Sequence, residues 1–120
     1  MEEAPTIGKV TIDSSVLETI ARLTTLAVPG VVRMTPPLGV HRLLGLKDGV
    51  QVTVREEGTV RVDLYVVVES GLNMLSLGRQ IQAEVTRAIQ DIVGMEVESV
   101  HVHIEDVTPA PTNEAPSRKP

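Results

Sequence analysis

The sequence predicts an α+β domain in which two helices pack on one face of a mixed sheet of about four strands. Val supplies 20 of the 120 residues, and its β-branched side chain favours strands. Apolar and polar side chains alternate through residues 50–54 and 60–68, as they do in a sheet with one buried face. Two further segments repeat apolar residues every three or four positions, which is typical of amphipathic helices.

The first part of the chain is predicted to form a short strand and then a helix. Residues 7–12 alternate in the manner of a strand. Residues 13–15 offer several N-caps for a helix that Pro29 and Gly30 end. The apolar face of this helix is predicted to contain five residues: Leu17, Ile20, Ala21, Thr24 and Ala27.

A Val-rich hairpin is the clearest element in the middle of the chain. Val31 and Val32 favour the start of a strand that Pro36 would interrupt, and residues 35–48 have no period although they are rich in Leu. Residues 50–54 and 60–68 then alternate on either side of a short polar turn, which predicts an antiparallel hairpin.

The last part is predicted to form a second helix and a final strand. Asn73 is the expected N-cap of the helix, and Gly94 is the expected C′ residue just after its end. Residues 97–107 are predicted to form the final strand. The buried stripe of the second helix is predicted to be Leu77, Ile81, Val85, Ala88, Ile89 and Ile92. The predicted order is β-α-β-β-α-β, a split βαβ sandwich whose second sheet face is open.

Composition sets the domain organisation and excludes several function classes. We expect a flexible N-terminus at 1–6, a single α+β domain at 7–107 and a disordered Pro-rich tail at 108–120. Without Cys there are no disulfides or thiolate metal sites, and no run of about 18 apolar residues suits a bilayer. The first residues lack the basic head of a signal peptide, so we expect a cytoplasmic protein.

The net charge of −5 and the single aromatic residue argue against two kinds of partner. Nucleic-acid binding usually needs a basic face, and single-strand binding adds aromatic stacking platforms. An acidic body would also be repelled by anionic lipid. We therefore expect no nucleic acid and no direct membrane insertion.

Few residues suggest a catalytic or metal-binding site. His101, His103 and Glu105 alternate on one strand, and two imidazoles with a carboxylate are acceptable zinc ligands. The alternative, which we favour, is a solvated strand face. The serines lie in capping or turn contexts without a G-x-S-x-G motif, and residues 44–49 lack the Walker spacing. The sequence therefore predicts no metal, no cofactor and no enzymatic activity.

Several short motifs resemble one family. They are Gly49–Val50, Val62–Val68 (VDLYVVV), Ile81–Val85 (IQAEV) and Val100–Ile104 (VHVHI). In this order and spacing they are similar to the alkaline shock protein family of small bacterial cytosolic proteins tied to envelope stress. The resemblance implies no enzymatic activity and implies action at the inner face of the envelope through a membrane-anchored protein partner. One departure is Ser70–Gly71, where the family often has a Tyr–Gly pair.

The predicted open sheet face is the leading candidate site. Arg61, Asp63, Tyr65 and Val67 share this face, and a Tyr beside a Val ringed by charges resembles a small interface with a polar rim. Leu43, Leu44 and Leu46 in the 35–48 loop offer a second apolar surface, unless that loop folds over the sheet face within the same chain.

The leading hypothesis is a non-enzymatic scaffold of the alkaline shock type. We expect a homo-oligomer that docks through the sheet face, the 35–48 loop or an exposed strand edge. The alternative is a small-ligand or metal-binding regulatory domain with a concave pocket near His101 and His103.

Overall fold

Two helices and four strands form the parts of the chain that the computed structural model describes, residues 7–37 and 48–109. In chain order they are α1 (Ser14–Leu26), β1 (Val31–Met34), β2 (Val50–Val54), β3 (Val60–Glu69), α2 (Met74–Ala88) and β4 (Val97–Thr108), with a π-helical turn at Ile89–Val93 before β4. The predicted flexible N-terminus at 1–6, residues 110–120 of the predicted tail, and Leu43, Leu44 and Leu46 lie outside these ranges.

Strand β3 is the centre of the sheet and pairs with every other strand. Strand β4 runs parallel to it along one edge. On the other edge, β1 pairs antiparallel with Val66–Val68 and β2 pairs antiparallel with Val60–Leu64. Strands β1 and β2 therefore lie end to end beside β3. The predicted fold class, α+β with both helices on one face of a mixed four-stranded sheet, is confirmed.

The junction between β1 and β2 is closed by backbone hydrogen bonds to one residue of β3. The Thr35 N–H donates to the Tyr65 carbonyl at 3.0 Å, and the Tyr65 N–H donates to the Gly49 carbonyl at 2.8 Å. Strand β1 ends at Met34 just before Thr35, and β2 begins at Val50 just after Gly49. Gly49 has a φ of +76°, and a Cβ there would lie 2.5 Å from the Thr35 carbonyl oxygen. Only glycine fits this position.

The core fills the space between the helices and the inner face of β3. The inner face of β3 consists of Val60, Val62, Leu64, Val66 and Val68, all fully buried. Opposite them lie the buried residues of the two helices: Leu17 and Ala21 from α1, and Leu77, Ile81 and Val85 from α2. The hydrophobic effect of this aliphatic layer holds both helices on one face.

Thr25 is a correction to the predicted face of α1. The sequence pattern placed Thr25 on the polar side, yet it is fully buried, while Thr24 is only partly buried. Thr25 lies four residues after Ala21, so it continues the same helical stripe. Its hydroxyl donates to the Ala21 carbonyl at 2.7 Å, and this bond makes burial of the polar group tolerable.

The predicted first strand at residues 7–12 is wrong. These residues pair with none of the four strands, so the observed order is α-β-β-β-α-β, and Val31–Met34 supplies the fourth strand instead. A strand exists only through pairing, which alternation cannot guarantee, and both edges of β3 are already occupied. Gly8, with a φ of +94°, also breaks the extended run.

Ile92 is a second correction, since it is largely exposed although the stripe of α2 predicted burial. The π-helical turn at Ile89–Val93 has more residues per turn than an α-helix, which rotates Ile92 away from the core after the buried Ile89.

Candidate interaction surface on the sheet

The outer face of the sheet carries the site residues that the sequence predicted and that the structure describes. Arg61, Asp63, Tyr65 and Val67 alternate with the core residues of β3 and therefore point away from both helices. Pairing with β4 places His101 opposite Asp63 and His103 opposite Tyr65. Side chains from two distant parts of the sequence thus form one surface.

An aromatic stack lies at the middle of this surface. The Tyr65 and His103 rings lie 4.3 Å apart between centroids, with planes inclined by 10°. Cross-strand neighbours on one face of a sheet are close enough for such contact. The stack fixes the relative position of β3 and β4 on the side away from the core.

Asp63 joins the stack to a cation. One oxygen, Oδ1, accepts from the His103 Nε2 at 3.1 Å, and the other, Oδ2, accepts from the Arg61 Nε at 3.3 Å. A carboxylate has no proton to give, so the His103 Nε2 carries the hydrogen in this bond. Arg61, Asp63, His103 and Tyr65 therefore form one connected polar network.

The centre of this surface is more buried than the predicted open face implied. Tyr65 is 8% exposed and Val67 is 1% exposed within the single chain. Tyr65 is covered in part by the stacked His103, a contact that alternation within β3 alone does not reveal. The accessible part is the polar rim, where His101 is exposed and the side chains of Arg61 and His103 are about 40% and 39% exposed. The predicted docking role of Tyr65 and Val67 stays a prediction.

Burial raises the pKa of the Tyr65 phenol above its ordinary value of 10. The negative charges of Asp63 and Glu105 raise this pKa further, while the positive charge of Arg61 partly offsets them. Both causes disfavour the phenolate form. The Tyr65 hydroxyl consequently remains protonated across the physiological range and can donate a hydrogen bond there.

The weak metal candidates His101, His103 and Glu105 lie along this same stretch of β4. His103 directs its Nε2 toward Asp63 and its ring face toward Tyr65. Within residues 7–37 and 48–109, no group of three His, Asp or Glu side chains is arranged to hold a metal ion.

A groove of about 480 Å³ opens on the other face of β4. It is lined by Met74, Leu75, Gly78, Arg79 and Gln82 from α2 and by Val102 and Ile104 from β4. Since side chains alternate across a strand, Val102 points to the helix side and its neighbours His101 and His103 to the outer side. This groove is therefore not the concave pocket that the ligand-binding alternative predicted beside the two histidines.

The sequence placed Asp63 and Tyr65 on one strand face and His103 on a different strand, but it did not indicate that His103 contacts them. Their contact depends on the parallel register of β3 with β4, which joins residues 38 to 40 positions apart. The parallel βαβ connection suggested by the order of elements could have indicated that these strands are neighbours. No local feature of the sequence indicates the register between β3 and β4.

Comparison with known families agrees with the motifs. A profile of the alkaline shock protein family, described as having a "cell envelope-related function", matches residues 2–109. The chain belongs to the alkaline shock protein family. The resemblance carried by the sequence motifs is therefore confirmed.

Two bacterial relatives of this alkaline shock family protein match over most of its length. "Uncharacterized protein Spy1535" of Streptococcus pyogenes is 29% identical over 111 residues, covering 88% of this chain and 86% of the relative. "Uncharacterized protein YqhY" of Bacillus subtilis is 26% identical over 103 residues, covering 82% of this chain and 76% of the relative.

Solved structures similar to this chain establish the fold only. "MamM-CTD 215-293" has a TM-score of 0.50 at 15% identity, covering 78% of this chain and 99% of the other. "MamM CTD M250L" has a TM-score of 0.50 at 16% identity, covering 78% and 96%. Among the described residues, no helix has the length and apolar character needed to cross a membrane.

Proposed function

We propose that this alkaline shock family protein is a non-enzymatic interaction module of the envelope stress response. It associates with itself and docks, from the cytoplasm, to a protein partner anchored in the envelope. The family's envelope-related description supports the setting.

The single observation that carries the proposal is the rigid, polar-rimmed outer face of β3 and β4. No helix described in the structure packs against this face, because α1 and α2 share the opposite one. The stacked Tyr65 and His103 rings lie at its centre, and Asp63 accepts hydrogen bonds from both His103 and Arg61. A preformed surface with few mobile side chains loses little conformational entropy when a partner binds.

The polar network connects the two strands on their outer face. Here the His103 Nε2 is bonded to Asp63, its ring is stacked on Tyr65, and the Asp63 charge is shared with Arg61. These contacts brace two strands against each other.

Docking is tested by sedimentation of the full chain with inside-out envelope vesicles. A protein partner predicts binding to native vesicles, and predicts its loss after protease treatment of their exposed proteins. It also predicts no binding to protein-free vesicles of the same lipids. Equal binding to protein-free vesicles, or binding to none of the three, contradicts the proposal.

A charge variant locates the surface. His101→Asp places a second negative charge opposite Asp63 on the rim, whereas Gln90→Asp adds the same charge on the exposed π-helical turn. We expect His101→Asp to weaken vesicle binding and Gln90→Asp to preserve it. Equal effects of the two variants contradict docking through the sheet face. Circular dichroism is used to check that both variants are folded.

A further inference from the structure

Exposed apolar side chains lie close together at the start of the described chain. Ile7 is 86% exposed, Val10 is 89% exposed and Ile12 is 39% exposed. Three of residues 9–12, Val10, Thr11 and Ile12, are β-branched and favour strands. Apolar side chains exposed to this extent in a short run are typical of an association site.

Strand β4 offers an unpaired edge for such a segment. In the described parts of the chain it pairs only with β3. The Gln82 Nε2 donates to the Val100 carbonyl at 3.0 Å, which shows that this carbonyl points away from β3. Backbone groups repeat every second residue along a strand, so Val102 and Ile104 present their N–H and C=O groups on the same free edge.

The groove beside this edge has room for the side chains of an added strand, and Arg79 and Gln82 line it together with apolar residues. Met74 and Leu75 of α2 form one wall, and Val102 and Ile104 of β4 form the other. Gly78 leaves open space on the helix wall, since apart from its neighbours along α2 no atom lies within 4 Å of the position that a Cβ would take there. The groove and the unpaired backbone groups of β4 therefore lie next to each other, as the addition of a β-strand requires.

We infer that residues 9–12 of one copy add as a strand to the Val102–Ile104 edge of β4 in a second copy. Val10 and Ile12 lie on one side of the added strand and enter the groove. With the added strand antiparallel to β4 and Val10 beside Ile104, Lys9 lies on the outer side, near the negative charge of Glu105. This inference rests on the proposed self-association and names the segments that produce it.

The same segment does not fill the groove of its own chain. Val10 is 89% exposed, and none of residues 9–12 is among the residues that line the groove.

Two matched pairs of variants test the inference by light scattering on the full chain. Val10→Asp removes a groove side chain, whereas Ile7→Asp makes the same change outside the added strand. Leu75→Asp changes the groove wall, whereas Leu23→Asp changes a comparably exposed Leu on α1, 65% against 59%. We expect Val10→Asp and Leu75→Asp to raise the Kd of self-association at least about tenfold and both controls to leave it unchanged.

Disulfide trapping tests the contact directly, because the chain has no Cys. A Val10→Cys copy mixed with a Leu75→Cys copy is expected to form a crosslinked pair under mild oxidation. The mixture of Val10→Cys with Leu23→Cys is the control and is expected to crosslink at least about tenfold more slowly.

The outcomes separate this inference from the proposed function. Equal crosslinking in both mixtures, or an oligomer that Val10→Asp and Leu75→Asp leave intact, overturns the strand addition while self-association stands. A wild-type chain that remains monomeric at every concentration overturns both.

Discussion

Gly49→Ala tests whether β1 and β2 really meet end to end against Tyr65. The variant places a methyl group where Gly49 now approaches the backbone of Thr35. The ideal Cβ would lie 2.5 Å from the Thr35 oxygen, 2.9 Å from the Thr35 nitrogen and 3.0 Å from the Tyr65 oxygen. All three atoms belong to the backbone, so no side chain can rotate to relieve the contact.

The expected loss of stability has two parts. Holding Ala at a positive φ costs about 1–2 kcal/mol. Moving Thr35 away weakens the hydrogen bonds that Tyr65 makes with Thr35 and Gly49, each worth about 1 kcal/mol net. Together they predict a decrease of about 3–4 kcal/mol in the free energy of unfolding.

Gly58→Ala is the matched control. Gly58 also has a positive φ, +91°, but apart from its two neighbours in the chain no atom lies within 4 Å of the position that its Cβ would take. Only the backbone part applies, so we expect a loss of about 1–2 kcal/mol. The difference between the two variants isolates the contact at the junction.

Urea denaturation followed by circular dichroism measures both variants. A difference of about 2 kcal/mol corresponds to a midpoint shift of about 1–2 M for a domain of this size. If Gly49→Ala is unfolded without urea, the pair is compared in an osmolyte that favours compact states. A Gly49→Ala variant as stable as Gly58→Ala would falsify the closed junction.

Four further predictions concern other parts of the molecule. Tyr65 is the only tyrosine, so phenolate absorbance reports its pKa alone. This pKa should exceed 10 in the folded chain and return to about 10 in urea, and Asp63→Asn should lower the folded value. Identical titrations of the folded and unfolded chain contradict the burial of Tyr65. Because the folded pKa is the higher one, Tyr65 stabilises the fold below about pH 10, and calorimetry should show this contribution disappearing at higher pH, but not in Tyr65→Phe. Ile81→Ala, in the core, should lose about 2–5 kcal/mol in urea denaturation, and a loss below about 1 kcal/mol contradicts its full burial. The exposed Arg55–Glu98 pair, 2.8 Å apart, should show a coupling of at most about 1 kcal/mol in a double-mutant cycle, and a much larger coupling contradicts its exposure.

Local patterns predicted most of the elements. The hairpin of β2 and β3 is confirmed because alternation and a short turn act within neighbouring residues. Asn73 is confirmed as the N-cap of α2, where its side chain accepts from the Ser76 N–H at 2.9 Å. Each of these features depends on residues a few positions apart, so the sequence carries the whole signal.

The predictions for residues 7–12 and for Ile92 were wrong because they depend on more than local sequence patterns. Residues 7–12 have the pattern of a strand, but no neighbouring strand in the described structure pairs with them. Ile92 has the spacing of a buried residue, but a π-helical turn changes the phase before it. In both cases the outcome depends on structure that local periodicity does not encode.

The sequence predicted the two strand faces of the candidate site but not the contact between them. The sequence placed Asp63 and Tyr65 on one face of a strand and His103 on the corresponding face of another. It did not indicate that His103 stacks on Tyr65 and binds Asp63, nor that Tyr65 would be so little exposed.

The sequence by itself determined the α+β class, the aliphatic core and the side of each long strand that faces the helices, because periodicity fixes which side chains must leave water. Only the tertiary structure decided that β1 and β2 share one edge of β3 and that β4 takes the other. Pairing between distant strands depends on backbone hydrogen bonds, which are nearly the same for every residue and leave no mark in the composition of either strand.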